Sequence, residues 1–210
     1  MGYSTGKIQD YLADAASNKP APGGGSVSAL AAALASSMSE MAANFTVGKK
    51  KFAGVDSQVR QHLAQLEKCR ARLMQLLDAD VEAYGAVGAA YSMPKDTEAQ
   101  KAAREEAIQK ALTAAMGVPL DIMRQCRIIS ESAAKLVAIA NPNLITDVGV
   151  SAILSEAACA GARLNVEVNL KYISDQTLVA TTRPLLDEMS QVTARCREEV
   201  SRAVSRHLSG

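Results

Sequence analysis

Residues 147–170 read DVGVSAILSEAACAGARLNVEVNL. Wound at about 100° per residue, this stretch makes a helix with three distinct faces. Glu156, Arg163 and Glu167 form a solvated face, while Val150, Ile153, Leu154, Ala157, Leu164 and Val168 form the face expected to enter a core. Asp147, Ser151, Ala158, Ala162, Asn165 and Asn169 share a third narrow arc, with Ser155 beside it. A stripe of hydroxyls and amides with a carboxylate at its N-terminal end suits a polar cleft. It equally suits hydrogen bonding between helices that small residues allow to approach closely.

The rest of the chain repeats this pattern of long helical runs cut by Gly and Pro. A short helix is expected from about Ser4 to Ser17, and Pro22-Gly23-Gly24-Gly25-Ser26 opens a second that runs to about Phe45. A third spans Asp56 to about Tyr91, and Asp96-Thr97 caps a fourth that begins near Glu98. Pro119 is expected to kink or divide that helix near Gly117. Thr146 reads as the N-cap of the helix quoted above, and a last helix runs from about Ser174 to His207. No segment alternates Val, Ile and Thr as a strand would. The expected fold is therefore all-α, a single domain over residues 1–210 made of long antiparallel helices.

Composition fits that expectation. The 210 residues include 38 Ala, 2 Phe, 5 Tyr and no Trp, so the core must be built from small and aliphatic side chains. Lys plus Arg number 23 against 22 Asp plus Glu, a formal charge of +1, which argues against nucleic acid as a partner. The Ala-rich run from Val27 is broken by Ser36, Ser37, Ser39 and Glu40, so no membrane span is expected there. Cys69, Cys126, Cys159 and Cys196 show no metal spacing and read as reduced thiols of a cytoplasmic protein, and the N-terminal residues lack the pattern of a secretion signal. With only His62 and His207, no metal site is expected, and any chemistry falls to carboxylates, amines and amides.

Two further helices carry polar groups on apolar faces. In the third, Leu66, Leu73, Leu77, Tyr84, Val87 and Tyr91 mark a buried stripe with Asp80 in its middle, whereas Asp78 and Glu82 point to the far side. A carboxylate on a buried face either performs chemistry or satisfies a neighbouring helix end or ion pair. In the second, Ser26, Ala33, Ser37, Glu40 and Asn44 stack along one side. Free amides at its Gly-rich start can hold a carboxylate or phosphate, or the glycines only permit close packing. Lys49, Lys50 and Lys51 beyond its end can bind an anionic tail or complement the helix dipole.

These segments carry a family resemblance. Ala21-Pro22-Gly23-Gly24-Gly25-Ser26-Val27, Asn44-Phe45-Thr46-Val47-Gly48-Lys49-Lys50, Asp80-Val81-Glu82-Ala83-Tyr84, Pro94-Lys95, Val118-Pro119-Leu120 and the run from Thr146 to Leu170 occur in that order. Together they resemble the cyclodeaminase/cyclohydrolase family of folate enzymes. The resemblance implies an all-helical homodimer acting on one-carbon units carried by tetrahydrofolate, with no cofactor beyond that carrier. It implies either hydrolysis of 5,10-methenyltetrahydrofolate to 10-formyltetrahydrofolate, the reading favoured by likeness to free-standing bacterial members, or ring closure of formiminotetrahydrofolate with loss of ammonia. A non-catalytic helical dimer that binds folate or a partner is the alternative of another class. On this resemblance Asp80 is the expected catalytic carboxylate and Asp147 the second. Gly23, Gly24, Gly25, Ser26, Asn44, Lys49, Lys50, Tyr84, Asn165 and Asn169 are the expected substrate-binding residues. Close packing is expected to bring Asp80, Asp147, Asn165 and Asn44 into shared clefts.

Overall fold

The computed structural model describes residues 2–210. Among them there is no strand, and six α-helices carry the fold: α1 (Ile8–Ala15), α2 (Gly24–Asn44), α3 (Asp56–Tyr91), α4 (Glu98–Ile139), α5 (Ile145–Leu170) and α6 (Gln176–Ser209). The helix starts follow from local chemistry. Thr97 Oγ1 accepts from the Gln100 amide at 3.2 Å while Gln100 Oε1 accepts from the Thr97 amide at 3.1 Å, a reciprocal cap on α4. Asp175 Oδ1 accepts from the amides of Thr177 and Leu178 and caps α6.

Two expected boundaries are corrected. Pro119 does not divide α4, which runs unbroken through 42 residues. Thr146 is not an N-cap, because a 3-10 turn over Pro142–Leu144, capped by Asn141 Oδ1 on the Asn143 amide, leads directly into α5.

α5 packs on α2, α4 and α6, and α3 packs on α2 and α4. Large aliphatics of α3 and α4, among them Leu66, Leu73, Leu76, Leu77, Ile122, Met123, Ile129 and Leu136, fill one side of the core. The α2–α5 seam is built from small residues, with Ala29, Ala32, Ala35, Ala158 and Ala162 all buried. A Cβ on Gly161 would fall 2.6 Å from Ser28 Oγ. At that separation buried hydroxyls reach across: Ser39 Oγ donates to Ser151 Oγ at 2.7 Å and Ser151 Oγ donates to the Ala35 carbonyl at 2.6 Å, while on the neighbouring α4–α5 contact Ser130 and Ser155 Oγ lie 2.7 Å apart.

This seam reverses the expected orientation of α5. Val150, Ile153, Leu164 and Val168, expected in the core, are exposed, Ile153 by 54% and Leu164 by 67%. Ser151, Ser155, Ala158 and Ala162 are the buried ones, so the middle of the polar stripe serves helix packing, and its two serines bond to neighbouring helices. By length and composition Pro142–Leu170 could also cross a membrane. In the fold its charged side is fastened to α6 through Arg197–Glu156 at 2.8 Å and Arg163–Asp187 at 2.7 Å. The four cysteines are free and buried, and burial pushes the Cys69 thiol up to about 11 and the Cys126 thiol well above its ordinary value.

Replacing Ser151 by Ala adds no bulk but removes both bonds across the seam and strands the Ser39 hydroxyl. Urea denaturation should show a loss of about 1–3 kcal/mol, and adding Ser39→Ala should recover part of it.

Candidate active site

At one end of the bundle the start of α2, the second half of α3, the middle of α4 and the end of α5 enclose a cavity of about 580 Å³. Asp80 lies in its wall with Gly23, Gly24, Asn165 and Asn169. Tyr84, Tyr91 and Tyr172, with Val87, Leu112 and Val168, supply flat and apolar surface.

Asp80 holds its position through the start of α2. Its Oδ2 accepts from the Ser26 amide at 2.9 Å, one of the first-turn N–H groups that have no partner within their own helix. This approach requires Gly25, where a Cβ would fall 2.0 Å from Asp80 Oδ1. Behind this contact Ser26 Oγ donates to the Leu77 carbonyl at 3.0 Å and receives the Tyr11 hydroxyl at 3.1 Å. Ser26 thus meets Asp80 through its backbone alone. Burial raises the Asp80 carboxyl above its ordinary value, and the Ser26 amide partly offsets that rise. Asp80 therefore both satisfies a helix end and faces a cavity.

The asparagines are braced by their own helix. Asn165 Nδ2 donates to the Gly161 carbonyl at 2.9 Å and Asn169 Nδ2 to the Asn165 carbonyl at 2.8 Å, which leaves each amide oxygen available to a ligand. Tyr84 and Tyr91, expected on a buried stripe, are exposed by 56% and 45%, because that half of α3 walls the cavity instead of the core. Tyr91, Tyr172, Val87, Leu112 and Val168 were not among the expected site residues. Tyr91 shares its helical arc with Tyr84, and Tyr172 follows Asn169 by three residues; those spacings were the available signals. Asp78 departs from the expected solvated side, since it accepts from the Ser4 amide and hydroxyl.

The expected shared cleft does not form within one chain. Asp147 stands 18 residues before Asn165 on the same helix, about 27 Å away at 1.5 Å per residue, and Asn44 stands about 30 Å along α2 from Gly24. Lys49 and Lys50 follow Asn44 and are exposed at that far end. A second concavity of about 720 Å³ lies there, lined by Lys51, Phe52, Ile145, Glu199, Arg206 and His207 among others. It is the larger space but contains no half-buried carboxylate, and it presents its charged groups on long exposed side chains. The smaller cavity is the better candidate for chemistry.

A helical bundle that holds one desolvated carboxylate against a helix start, in a tyrosine-walled cavity, defines a site for acid–base chemistry on a flat ligand. Residues 7–188 match the formiminotransferase-cyclodeaminase family, and the chain belongs to that family. It is similar to the methenyltetrahydrofolate cyclohydrolase of Methylorubrum extorquens, with 36% identity over 202 residues that cover 94% of this chain and 97% of that one. It is also similar to the formimidoyltransferase-cyclodeaminase of Rattus norvegicus, with 30% identity over 88% of this chain but only 34% of the rat protein. The fold matches the crystal structure of the formiminotetrahydrofolate cyclodeaminase of Thermotoga maritima with a TM-score of 0.86 and 30% identity, covering 96% of this chain and 97% of that one.

Because the fold favours protonated Asp80, the stability this group lends is present below the ordinary Asp range. It is lost as pH rises through the raised value. Asp80→Asn, whose amide oxygen can still accept from Ser26, should therefore melt at or above the wild-type temperature at pH 7. Gly25→Ala should melt lower, since its methyl group must displace the carboxylate.

Proposed function

We propose that this chain is a methenyltetrahydrofolate cyclohydrolase that acts in the cytoplasm as a homodimer and needs no cofactor beyond the tetrahydrofolate that carries its substrate. The observation that carries the reading is Asp80, a half-buried carboxylate held on the Ser26 amide beside tyrosine rings suited to a pterin. The similarity to the Methylorubrum cyclohydrolase over nearly the full length of both chains supports it.

The methenyl group is an amidinium cation, and Asp80 supplies the opposing charge. Water adds to the methenyl carbon while Asp80 takes one of its protons, which gives a neutral tetrahedral carbinolamine. Asp80 returns that proton to N5 as the carbon–N5 bond breaks, the hydroxyl proton leaves to solvent, and the formyl group stays on N10. Asn165 and Asn169 hydrogen-bond the ring, with Gly23, Gly24 and Tyr84 framing it. Asp80→Asn should lower turnover by about 10²–10⁴ without loss of fold. Since burial raises the carboxyl of Asp80, the acid limb of kcat/KM should lie above the ordinary Asp range.

The cyclodeaminase reading is favoured by the Thermotoga structure. Methenyl- and formiminotetrahydrofolate, offered separately while absorbance and ammonia are followed, decide between the two. Folate binding with neither turnover would leave a binding protein.

The dimer reading rests on the outer face of α2 and α5. Val27, Leu34 and Met41 of α2 with the adjoining Phe45, and Val150, Ile153, Leu164 and Val168 of α5 with the adjoining Tyr172, are exposed by 38% to 67%. Together they offer on the order of 800 Å², one partner's share of a standard interface. The only charged residue within α2, Glu40, is buried and paired with Arg70 at 2.9 Å. Ile153→Asp with Leu164→Asp should convert a sedimenting dimer to monomer.

A further inference from the structure

The Asp80 cavity is incomplete in one chain. Among the described residues its lining contains no Lys or Arg, although a folate substrate carries an anionic glutamyl tail. The nearby Lys19 is paired with Asp14, and Lys171 lies over the Tyr172 ring. Meanwhile Asn44, Lys49, Lys50 and Asp147 stand at the other end of the bundle.

The geometry of the outer face joins these two facts. α2 and α5 run antiparallel in a fixed register, because Gly24 abuts Asn165 at one end and Ser39 bonds Ser151 toward the other. The exposed apolar positions of α2, Val27, Leu34 and Met41, are spaced by seven and symmetric about Leu34. A two-fold axis crossing α2 at Leu34 crosses α5 near Glu156 in the same register. An axis perpendicular to the helices there lays α2 on α2 and α5 on α5 with their ends exchanged. Position 24 then meets position 44, and position 165 meets position 147.

Resting on the homodimer and folate reading above, we propose that each active site is completed in trans. The segment from Asn44 to Lys50 of the partner subunit closes the Gly23–Gly24 side of the cavity, and the partner's Lys49 and Lys50 take the glutamyl tail. The partner's Asp147 lies beside the turn that carries Asn165 and Asn169. Phe45 of the partner subunit covers the glycines, where a Cβ on Gly23 would meet nothing within 4 Å. Charge favours this arrangement over an axis parallel to the helices. The parallel axis would set the lysine ends side by side and leave both carboxylate cavities without a cation; the exchanged ends place lysines beside Asp80.

Introduced surface thiols test the arrangement, because the native cysteines are buried. Leu34→Cys should oxidise to a disulfide-linked dimer. A mixture of Val27→Cys and Met41→Cys chains should cross-link, whereas Val27→Cys alone should not. Val27→Cys joining itself, or no link at Leu34→Cys, overturns the proposal. For the site itself, Asp80→Asn chains co-expressed with Lys49→Ala/Lys50→Ala chains give heterodimers, isolated with two tags, that hold one intact site. They should show about half the wild-type kcat/KM for polyglutamylated methenyltetrahydrofolate, well above either parent dimer. A heterodimer no better than the average of its parents, or a lysine variant as active as wild type, overturns it. Absence of any folate turnover in the wild type would sink the functional reading alone, since the thiol pattern reads the arrangement independently.

Discussion

Everything else in this fold depends on how closely α2 lies against α5. The seam excludes large side chains, since Gly161 faces Ser28 and Ala29, Ala32, Ala35, Ala158 and Ala162 are buried. Dispersion between many small groups, together with hydroxyl bonds such as Ser39–Ser151, replaces the interdigitation of large residues. The seam sets the height of the α2 start, which sets where Asp80 meets the Ser26 amide and where Asn165 meets Gly24. A shift of one helix by a single turn, about 5.4 Å, would separate the carboxylate from the amide that holds it. Precision at the site is a property of the seam some way below it.

The same seam explains the placement of apolar surface. Because α5 turns Ser151, Ser155, Ala158 and Ala162 inward, Val150, Ile153, Leu164 and Val168 are left outside beside the exposed aliphatics of α2. Glu156, Arg163 and Glu167 are turned toward α6 and neutralised by one another or by Arg197 and Asp187. The bundle thus separates its surface into a charged side and an apolar side, and the apolar side carries the cavity mouth at one end and the lysines at the other.

Helix existence was legible in the sequence because Gly, Pro and capping residues punctuate long runs without β-branched alternation. Asp80 was legible for a related reason: a carboxylate among Leu73, Leu77 and Tyr84 contradicts its own helical face. The orientation of α5 was not legible. Hydrophobicity assigns Ile153 and Leu164 to a core, but a helix packed against an alanine-lined neighbour buries whatever is smallest, and size outweighs polarity when a serine can bond across the gap. Asp147 and Asn44 were expected in clefts shared with Asp80 and Asn165, yet nothing in a single sequence reports that one chain holds them about 27 Å from Asn165 and about 30 Å from Gly24 along their helices. Pro119 does not divide α4 because a helix packed on α2, α3, α5 and α6 tolerates the missing amide bond that would break an isolated one.

The buried cysteines bear on how the chain meets oxidants. Each of the four helices α3 to α6 contributes one thiol to the interior, and burial favours the protonated form of all four. Thiolate, the form that oxidants and electrophiles attack, is scarce at neutral pH in such surroundings. The site itself is built of carboxylate, amide and phenol. The interior thiols are therefore poor targets for oxidants, and none of them lines the Asp80 cavity.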